Sequence, residues 1–477
     1  MQNRIINNTF ILFWTEIFLK FKAFILVPIL TKALGTVDYG AWSQLNIINT
    51  LVFPLVLLGT DSSILRYLPD KKIQIQKKVF FSWICFLALM SFICFVAILL
   101  TADFWNFLYF DNRTNTYNLI IIAAFNIIIT VLFNAIKVYY RILGEFKLYS
   151  FCIISQGLAN FIAIAAALYF YKALFFVLFF TLISDILVLI IFIFKILDVK
   201  YFNFNERYIK LLLKYGYVLI PASYATWILN SVDKISLVQN YTLAEVGIYS
   251  LAYGFGYLTI QLFVNPLSTL FPSVASLLYA KDKLEILLKV EEYSKQFILL
   301  STISSAIFYV FCGKDILLIF STKDFIKGWS VIPIITLAYL QHSLAAFGIV
   351  KLGLINKQYY NSISIIVACI ANIILNIVLV PKFGIEGAAI SLLCAYCLQN
   401  IIVNMAMPEN FSIKYREFYF KLILKLFFSA LLLCFIEQNI ANDKAFKIVI
   451  SFLVIVAVYL KDILEIRKGL KDLECNW

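Results

Sequence analysis

The sequence predicts an all-α polytopic membrane protein with about fourteen transmembrane helices. Of its 477 residues, 63% are hydrophobic and 14% are charged, whereas charged residues make up about 25% of an average soluble domain. Most of the chain divides into apolar stretches of about 20 residues, the length at which an α-helix crosses the hydrocarbon core of a bilayer. This composition excludes a soluble globular protein.

The apolar stretches define the predicted spans in order. The first eight lie near 9–33, 41–68, 79–101, 117–140, 150–171, 174–196, 214–238 and 246–278. Six more lie near 294–313, 329–353, 361–381, 386–407, 419–438 and 446–463. The first run is interrupted by charged residues and lacks a small-residue cleavage site, so we expect a retained span rather than a signal peptide.

The distribution of basic residues tests this number of spans, because one missing span would move every later turn to the opposite side. About 28 of the 40 basic residues fall in the even-numbered turns and at the two ends. Since Lys and Arg are enriched in cytoplasmic turns, both termini are predicted to be cytoplasmic. The formal net charge of +13 is spread over short segments beside the membrane. This pattern indicates contact with anionic lipid headgroups and no nucleic-acid partner.

An internal repeat indicates two lobes. Residues 34–43 resemble 243–250, and residues 144–150 resemble 356–362. Six spans separate the copies, so we predict two six-helix lobes of the same orientation, an arrangement typical of a transporter with a central cavity. The predicted divisions are an N-terminal lobe at 1–197, a cytoplasmic linker at 198–213, a C-terminal lobe at 214–408, and two further spans with a cytoplasmic tail at 409–477.

Short motifs along the chain resemble one known family. The motifs are Pro28-Ile-Leu-Thr-Lys-Ala-Leu-Gly-Thr-Val-Asp-Tyr-Gly40, Gly59-Thr-Asp-Ser-Ser-Ile-Leu-Arg-Tyr67, Asp233-Lys234 followed by Val246-Gly-Ile-Tyr-Ser250, and Pro381-Lys-Phe-Gly-Ile-Glu-Gly-Ala-Ala389. In this order they resemble the O-antigen and capsular polysaccharide flippases of the multidrug, oligosaccharidyl-lipid and polysaccharide exporter superfamily.

The resemblance, which covers about the first 410 residues, carries several implications. It implies the two-lobed fold of that superfamily and a place in the bacterial inner membrane. The implied cargo is an undecaprenyl-diphosphate-linked oligosaccharide repeat unit of O-antigen or capsule. The implied partners are membrane lipids, a polysaccharide polymerase and a chain-length regulator.

Basic residues inside the predicted spans are candidates for binding the diphosphate. A charge at the bilayer centre costs at least about 2.5 kcal/mol on insertion scales, so each one needs a partner or a watery cavity. We predict that Lys20, with help from Arg66 and Lys234, attracts the diphosphate; the resemblance also implies a basic residue at Lys20. Lys22 lies about 200° around the helix from Lys20, so only one of the two can face the cavity, and Lys20 is the one expected there.

Several of these charges have a simpler explanation. Glu16 and Lys20 are four residues apart and can form an internal ion pair on one helical face. Arg66 can extend its long side chain to the cytoplasmic surface, and the same snorkelling is expected of Lys137 and Arg141 at the end of the fourth span.

Acidic residues inside the spans are candidates for ion coupling or charge pairing. These are Glu16, Asp61, Asp185 and Asp233, and the coupling ion would be H⁺ or Na⁺. Asp185 has no basic residue within four positions, so it requires a partner on another helix or a bound proton. His342 is the single histidine of the chain, and a neutral, buried histidine is its favoured interpretation.

Two other functions are compatible with the sequence. A drug or cation antiporter would share the fold but would favour acidic groups in its cavity. A membrane-embedded polysaccharide polymerase or ligase would need a sizeable outer loop with catalytic residues, and the outer loops here are short. Cys394 and Cys397 lie within an apolar run, where helix packing is expected rather than a metal site. We therefore predict no enzyme, no metal and no cofactor beyond the coupling ion.

Overall fold

The computed structural model describes residues 2–110, 116–196, 204–217, 220–408, 416–439 and 444–474. Within these ranges the chain is helical and has no β-strand, which confirms the predicted all-α fold. Eight helices of the described chain are long and apolar enough to cross a membrane. The chain packs into two units, one formed by Met1–Trp227 with Thr242–Ala244 and the other by Ile228–Tyr241 with Glu245–Trp477.

The first unit is a bundle in which α1, α5, α6 and α7 pack against one another and α3 packs against α5. Its helices are α1 (Gln2–Leu57), α2 (Thr60–Tyr67), α3 (Ile73–Leu100), α4 (Ala102–Phe110), α5 (Tyr117–Ile142), α6 (Phe146–Phe170), α7 (Leu174–Ile196) and α8 (Glu206–Gly216). The first predicted span and most of the second form α1, which bends at Gly35, where φ is 70°. The predicted span 41–68 is interrupted after Leu57, and its last part forms α2. Because the φ of Gly35 lies in the left-handed region, glycine is favoured there.

The predicted linker 198–213 lies partly outside the described residues, and its described part belongs to α8. This helix crosses α2 with its backbone in contact, since a Cβ on Gly216 would lie 2.4 Å from the Leu58 carbonyl oxygen. A Cβ on Gly59 would lie 2.3 Å from the Gly216 oxygen. Ser63 Oγ also donates a hydrogen bond to the Leu212 carbonyl at 2.7 Å. The linker helix is therefore docked on the first unit.

Helix α9 (Ile220–Asn240) contains the division between the units, which falls after Trp227. The sequence had placed the start of the second lobe at residue 214. The remaining helices of the second unit are α10 (Leu243–Phe263), α11 (Asn265–Ala280), α12 (Leu284–Phe320), a 3₁₀ helix (Lys323–Ser330), α13 (Val331–Leu354), α14 (Tyr359–Met405), α15 (Arg416–Asn439) and α16 (Lys444–Glu474).

One predicted span of the second unit is two helices. The stretch 246–278 was expected to be continuous, but α10 ends at Phe263 and α11 begins at Asn265 with a proline in its first turn. Pro266 has no N–H to donate and its ring clashes with the carbonyl four residues earlier, so the helix breaks before it.

The last four predicted membrane crossings of the second unit fall on α14, α15 and α16. Helix α14 covers two of them and bends at Gly384, where φ is 55°. Tyr241 donates its hydroxyl to the Pro381 carbonyl at 3.1 Å, which satisfies a backbone oxygen beside the bend. Helices α15 and α16 pack against α12, and Lys447 Nζ lies 2.9 Å from Asp315 Oδ2 across the α16–α12 contact.

A buried ion triad joins α12 to α13. Glu291 is fully buried, and its Oε1 and Oε2 each lie 2.8 Å from a lysine nitrogen, Lys295 Nζ and Lys351 Nζ respectively. Removing charges from water is costly, and the close approach of two opposite charges offsets part of that cost. The triad fixes the beginning of α12 to the end of α13.

Candidate functional site

The first unit contains a polar cavity of about 380 Å³. It is formed by α1, α5 and α6. The residues that line it are Glu16, Leu19, Lys22, Asn134, Lys137, Val138, Arg141, Tyr149, Ile153, Gln156, Gly157 and Asn160. All of these belong to one unit.

Helical spacing explains how the sequence builds this cavity. Residues three, four or seven apart lie on one face of an α-helix, and the lining residues of each helix follow that spacing: Glu16, Leu19 and Lys22 on α1, Asn134, Lys137, Val138 and Arg141 on α5, and Tyr149, Ile153, Gln156 and Asn160 on α6. At Gly157, a Cβ would lie 3.3 Å from the Phe18 ring. A small residue there lets α6 approach α1.

The cavity is cationic. Lys22, Lys137 and Arg141 outnumber the single lining carboxylate, which is Glu16. Lys137 Nζ also lies 5.5 Å from the centre of the Phe133 ring. Three cations in a partly desolvated space create an environment that favours an anion of more than one charge.

Asp185 on α7 lies behind the part of the cavity wall that α6 forms. Its Oδ1 accepts hydrogen bonds from Gln156 Nε2 at 2.9 Å and from Asn160 Nδ2 at 3.1 Å. Asp185 is 6% exposed and interacts electrostatically with Lys22 and Lys137. The partners that Asp185 was expected to need on other helices are therefore two amides and, at longer range, two lysines.

Helix α1 presents Lys22 to this cavity, whereas Lys20 is not among its lining residues. On a helix with 3.6 residues per turn, Leu19 lies between Glu16 and Lys22, and Lys20 falls on the other side of Glu16. This geometry agrees with the expectation that the two lysines face different directions. The expected role of Lys20 in binding the diphosphate stays a prediction.

Lys137 and Arg141, which were expected to snorkel, line the cavity, and Arg141 is exposed at the last turn of α5, which agrees with snorkelling. Arg66 was expected to help to bind the diphosphate or to snorkel. Its guanidinium is exposed and lies 4.6 Å from the centre of the Tyr215 ring on α8. Asp61 is half-buried in the first turn of α2, where a carboxylate is favoured by the helix dipole. Neither Arg66 nor Asp61 lines the cavity.

The second unit holds a separate buried polar group around Asp233 on α9. Asp233 is fully buried and accepts hydrogen bonds from the Tyr249 hydroxyl and, at 2.8 Å, from the Lys234 backbone N–H. Lys234 Nζ lies 4.5 Å from the centre of the Tyr253 ring, a cation–π distance. Asp233 and Lys234 are thus neighbours whose charged groups engage different tyrosines.

Asn230, one helical turn before Asp233, accepts hydrogen bonds that the sequence did not predict. Its Oδ1 accepts from the hydroxyls of Tyr339 at 2.9 Å, Tyr253 at 3.2 Å and Tyr396 at 3.4 Å. The polar residues along α9 could have indicated a buried polar site, but their tyrosine partners lie on three other helices. Asn230 therefore ties α9 to α10, α13 and α14.

His342 lies next to the tyrosines that donate hydrogen bonds to Asn230. Its ring centre lies 4.7 Å from that of Tyr396, and its Nδ1 lies 2.9 Å from Gln399 Oε1. The contact with a neutral amide and the tilted ring contact with Tyr396 place a half-buried histidine within the packing of the unit. Within the described ranges no cluster of three His, Cys, Asp or Glu residues could hold a metal ion.

The fold is shared with membrane proteins of known structure. A structure of the lipid II flippase MurJ in an inward closed conformation has a TM-score of 0.75 and 18% identity, covering 95% of this chain and 97% of that chain. An inward-facing multidrug resistance MATE family transporter of the MOP superfamily has a TM-score of 0.68 and 13% identity, covering 81% and 92%. A MOP superfamily transporter from Pyrococcus furiosus has a TM-score of 0.56 and 15% identity, covering 84% and 93%. The chain is thus a multi-pass membrane protein with the fold of this exporter superfamily.

The sequence identifies the family. It matches the polysaccharide biosynthesis protein family over residues 5–278, more than half of the chain, and the protein belongs to that family. No curated protein sequence matches it significantly. The family match and the shared fold together confirm the resemblance that the motifs predicted.

Proposed function

We propose that this protein is a flippase of the bacterial inner membrane, with both termini in the cytoplasm. Its cargo is an undecaprenyl-diphosphate-linked oligosaccharide repeat unit of O-antigen or capsule, which it moves from the cytoplasmic to the outer leaflet. The movement is ion-coupled alternating access, and a polysaccharide polymerase and a chain-length regulator act on the product with it.

The cationic cavity of the first unit carries the proposal. A diphosphate cannot leave water for a space of low dielectric without cationic compensation. Lys22, Lys137 and Arg141 provide that compensation within one cavity, and the amides of Gln156 and Asn160 beside them can bond neutral sugar or phosphate oxygens. We accordingly assign the diphosphate to this cavity, with Lys22 in the role first given to Lys20.

Ion coupling is assigned to a buried carboxylate. Alternating access requires an ion or the cargo to bind two conformations with different affinities. Asp233 is fully buried in the second unit and is the candidate acceptor for H⁺ or Na⁺, while Asp185, buried in the first unit beside cationic side chains, is assigned to charge pairing. Glu16 and Asp61 are less buried and are assigned to charge pairing.

A drug or cation antiporter is the second candidate, favoured by the fold shared with MATE transporters. Cationic drugs would be repelled by a cavity in which lysine and arginine outnumber carboxylates. A polysaccharide polymerase or ligase is the third candidate. It would act on repeat units that already lie at the outer face. The leaflet in which unpolymerised units accumulate therefore distinguishes it from a flippase.

A deletion strain tests the function. Single lipid-linked repeat units accumulating on the cytoplasmic leaflet, with loss of surface glycan, are the expected result. Units that reach the outer leaflet but stay unpolymerised would identify the polymerase instead, and an intact glycan with increased drug sensitivity would identify the antiporter.

Two matched lysine variants test the site. Lys22→Gln should reduce flipping of the repeat unit by about tenfold, the effect of losing one charge-assisted contact of about 1.4 kcal/mol. Lys20→Gln, two residues away on the same helix, should reduce it much less. Equal expression is checked by immunoblot, and a larger defect in Lys20→Gln than in Lys22→Gln would contradict the assignment.

A further inference from the structure

Asp185 is separated from the cationic cavity by a single layer of side chains. Gln156 and Asn160 both line the cavity, and both donate to the same carboxylate oxygen of Asp185. Ser184, its neighbour on α7, donates to Asn160 Oδ1 at 2.8 Å and fixes the orientation of that amide. The carboxylate is thus held rigidly at the back of the wall.

The polar groups around Asp185 come from the three helices that pack on α7. Helix α1 contributes Lys22 and helix α5 contributes Lys137, and both interact with the carboxylate electrostatically. Helix α6 contributes the two neutral amides. Asp185 forms its hydrogen bonds with the two amides, and its interaction with the two lysines is electrostatic.

Glu16 is the other carboxylate of the cavity, and it differs from Asp185 in one respect. Glu16 is exposed, whereas Asp185 is 6% exposed. Water and salt screen an exposed charge far more than a buried one. Asp185 therefore has the stronger influence on Lys22 and Lys137, although Glu16 lies in the cavity wall itself.

We propose that Asp185 is a fixed counter-anion that competes with the cargo diphosphate for Lys22 and Lys137 and so keeps the cargo releasable. The proposal rests on the proposed function, because it assumes that the cavity binds a diphosphate. Transport requires binding that is strong enough for entry and weak enough for exit. Three cations without an internal anion would retain a diphosphate, and Asp185 lowers the affinity to a level that permits turnover.

Calorimetric binding of farnesyl diphosphate to the purified full-length protein in detergent tests the proposal. Asp185→Asn should bind this probe about tenfold more tightly than the wild type, a difference of about 1.4 kcal/mol. Glu16→Gln should tighten binding by less than about threefold, because its charge is already screened. Flipping of the repeat unit by Asp185→Asn should nevertheless be slower, since release is delayed.

A second set of variants separates this proposal from the function on which it rests. Lys22→Gln should weaken binding about tenfold, and the double variant of Lys22→Gln with Asp185→Asn should return close to the wild-type affinity. Asparagine retains an oxygen that accepts from Gln156 and Asn160, so the melting temperature should be preserved.

Three results would overturn the reasoning at different points. Weaker or unchanged binding in Asp185→Asn, together with weaker binding in Lys22→Gln, would contradict the counter-anion role of Asp185. The assignment of the diphosphate site would still stand. Unchanged binding in both variants would also contradict the assignment of the diphosphate to this cavity. Tighter binding in Glu16→Gln than in Asp185→Asn would transfer the role to Glu16.

Discussion

Removing the carboxylate of the buried triad should destabilise the second unit by about 3–5 kcal/mol, the cost of leaving buried charges without their partner. Glu291 is fully buried, and the side chains of Lys295 and Lys351 are only 10% and 3% exposed. In Glu291→Gln, two ammonium groups would remain side by side around a neutral amide. Their mutual repulsion adds to the lost attraction, and water has little access to relieve either.

Thermal unfolding of the purified protein in detergent measures this effect. The matched control is Glu206→Gln in α8. Lys210 Nζ lies 2.6 Å from the Glu206 carboxylate, and the side chains of Lys210 and Glu206 are 72% and 68% exposed. Such a surface pair contributes little, so this variant should melt with the wild type. Replacing Glu291, Lys295 and Lys351 together by methionine should recover most of the lost stability, because no buried charge then remains. Equal melting temperatures for Glu291→Gln and Glu206→Gln would refute the reasoning.

Three further variants probe other features of the chain. Tyr241→Phe should cost about 1 kcal/mol of unfolding free energy by leaving the Pro381 carbonyl unbonded; an unchanged melting temperature would mean that water replaces the hydroxyl. Gly216→Val should push α8 away from the Leu58 carbonyl and speed limited proteolysis of the linker, and an unaltered cleavage rate would argue against the tight crossing. Asp233→Asn should abolish the dependence of flipping on an H⁺ or Na⁺ gradient, and a retained dependence would exclude Asp233 as the coupling group.

The sequence predicted the helices well because apolar length is a strong signal. The runs that became α5, α6 and α7 are bounded by short polar turns, and their predicted limits lie within a few residues of the observed ones. The break between α10 and α11 was missed because the sequence is largely apolar on both sides of Asn265-Pro266. Only this dipeptide marked it, and a proline does not tell whether a membrane helix bends or ends.

The candidate site was less predictable, because a helix sequence gives the angle between two residues but not the direction of the helix in the bundle. The spacing of Lys20 and Lys22 required that they face different ways, and only the packing of α1 on α5 and α6 selects which lysine reaches the cavity. Arg66 illustrates the same limit. Its partner Tyr215 lies just after the predicted linker, at the start of the predicted seventh span, so no local pattern could connect them.

All the residues that line the cationic cavity belong to the first unit, and this has a thermodynamic consequence for transport. If that unit moves as one body, the charges of the cavity keep their spacing in every state of the molecule. The intrinsic affinity of the cavity for a diphosphate is then the same before and after a conformational change, and a ligand with equal affinity for two states cannot shift the balance between them. The direction of flipping must therefore come from outside the cavity, from an ion gradient or from removal of the product at the outer face.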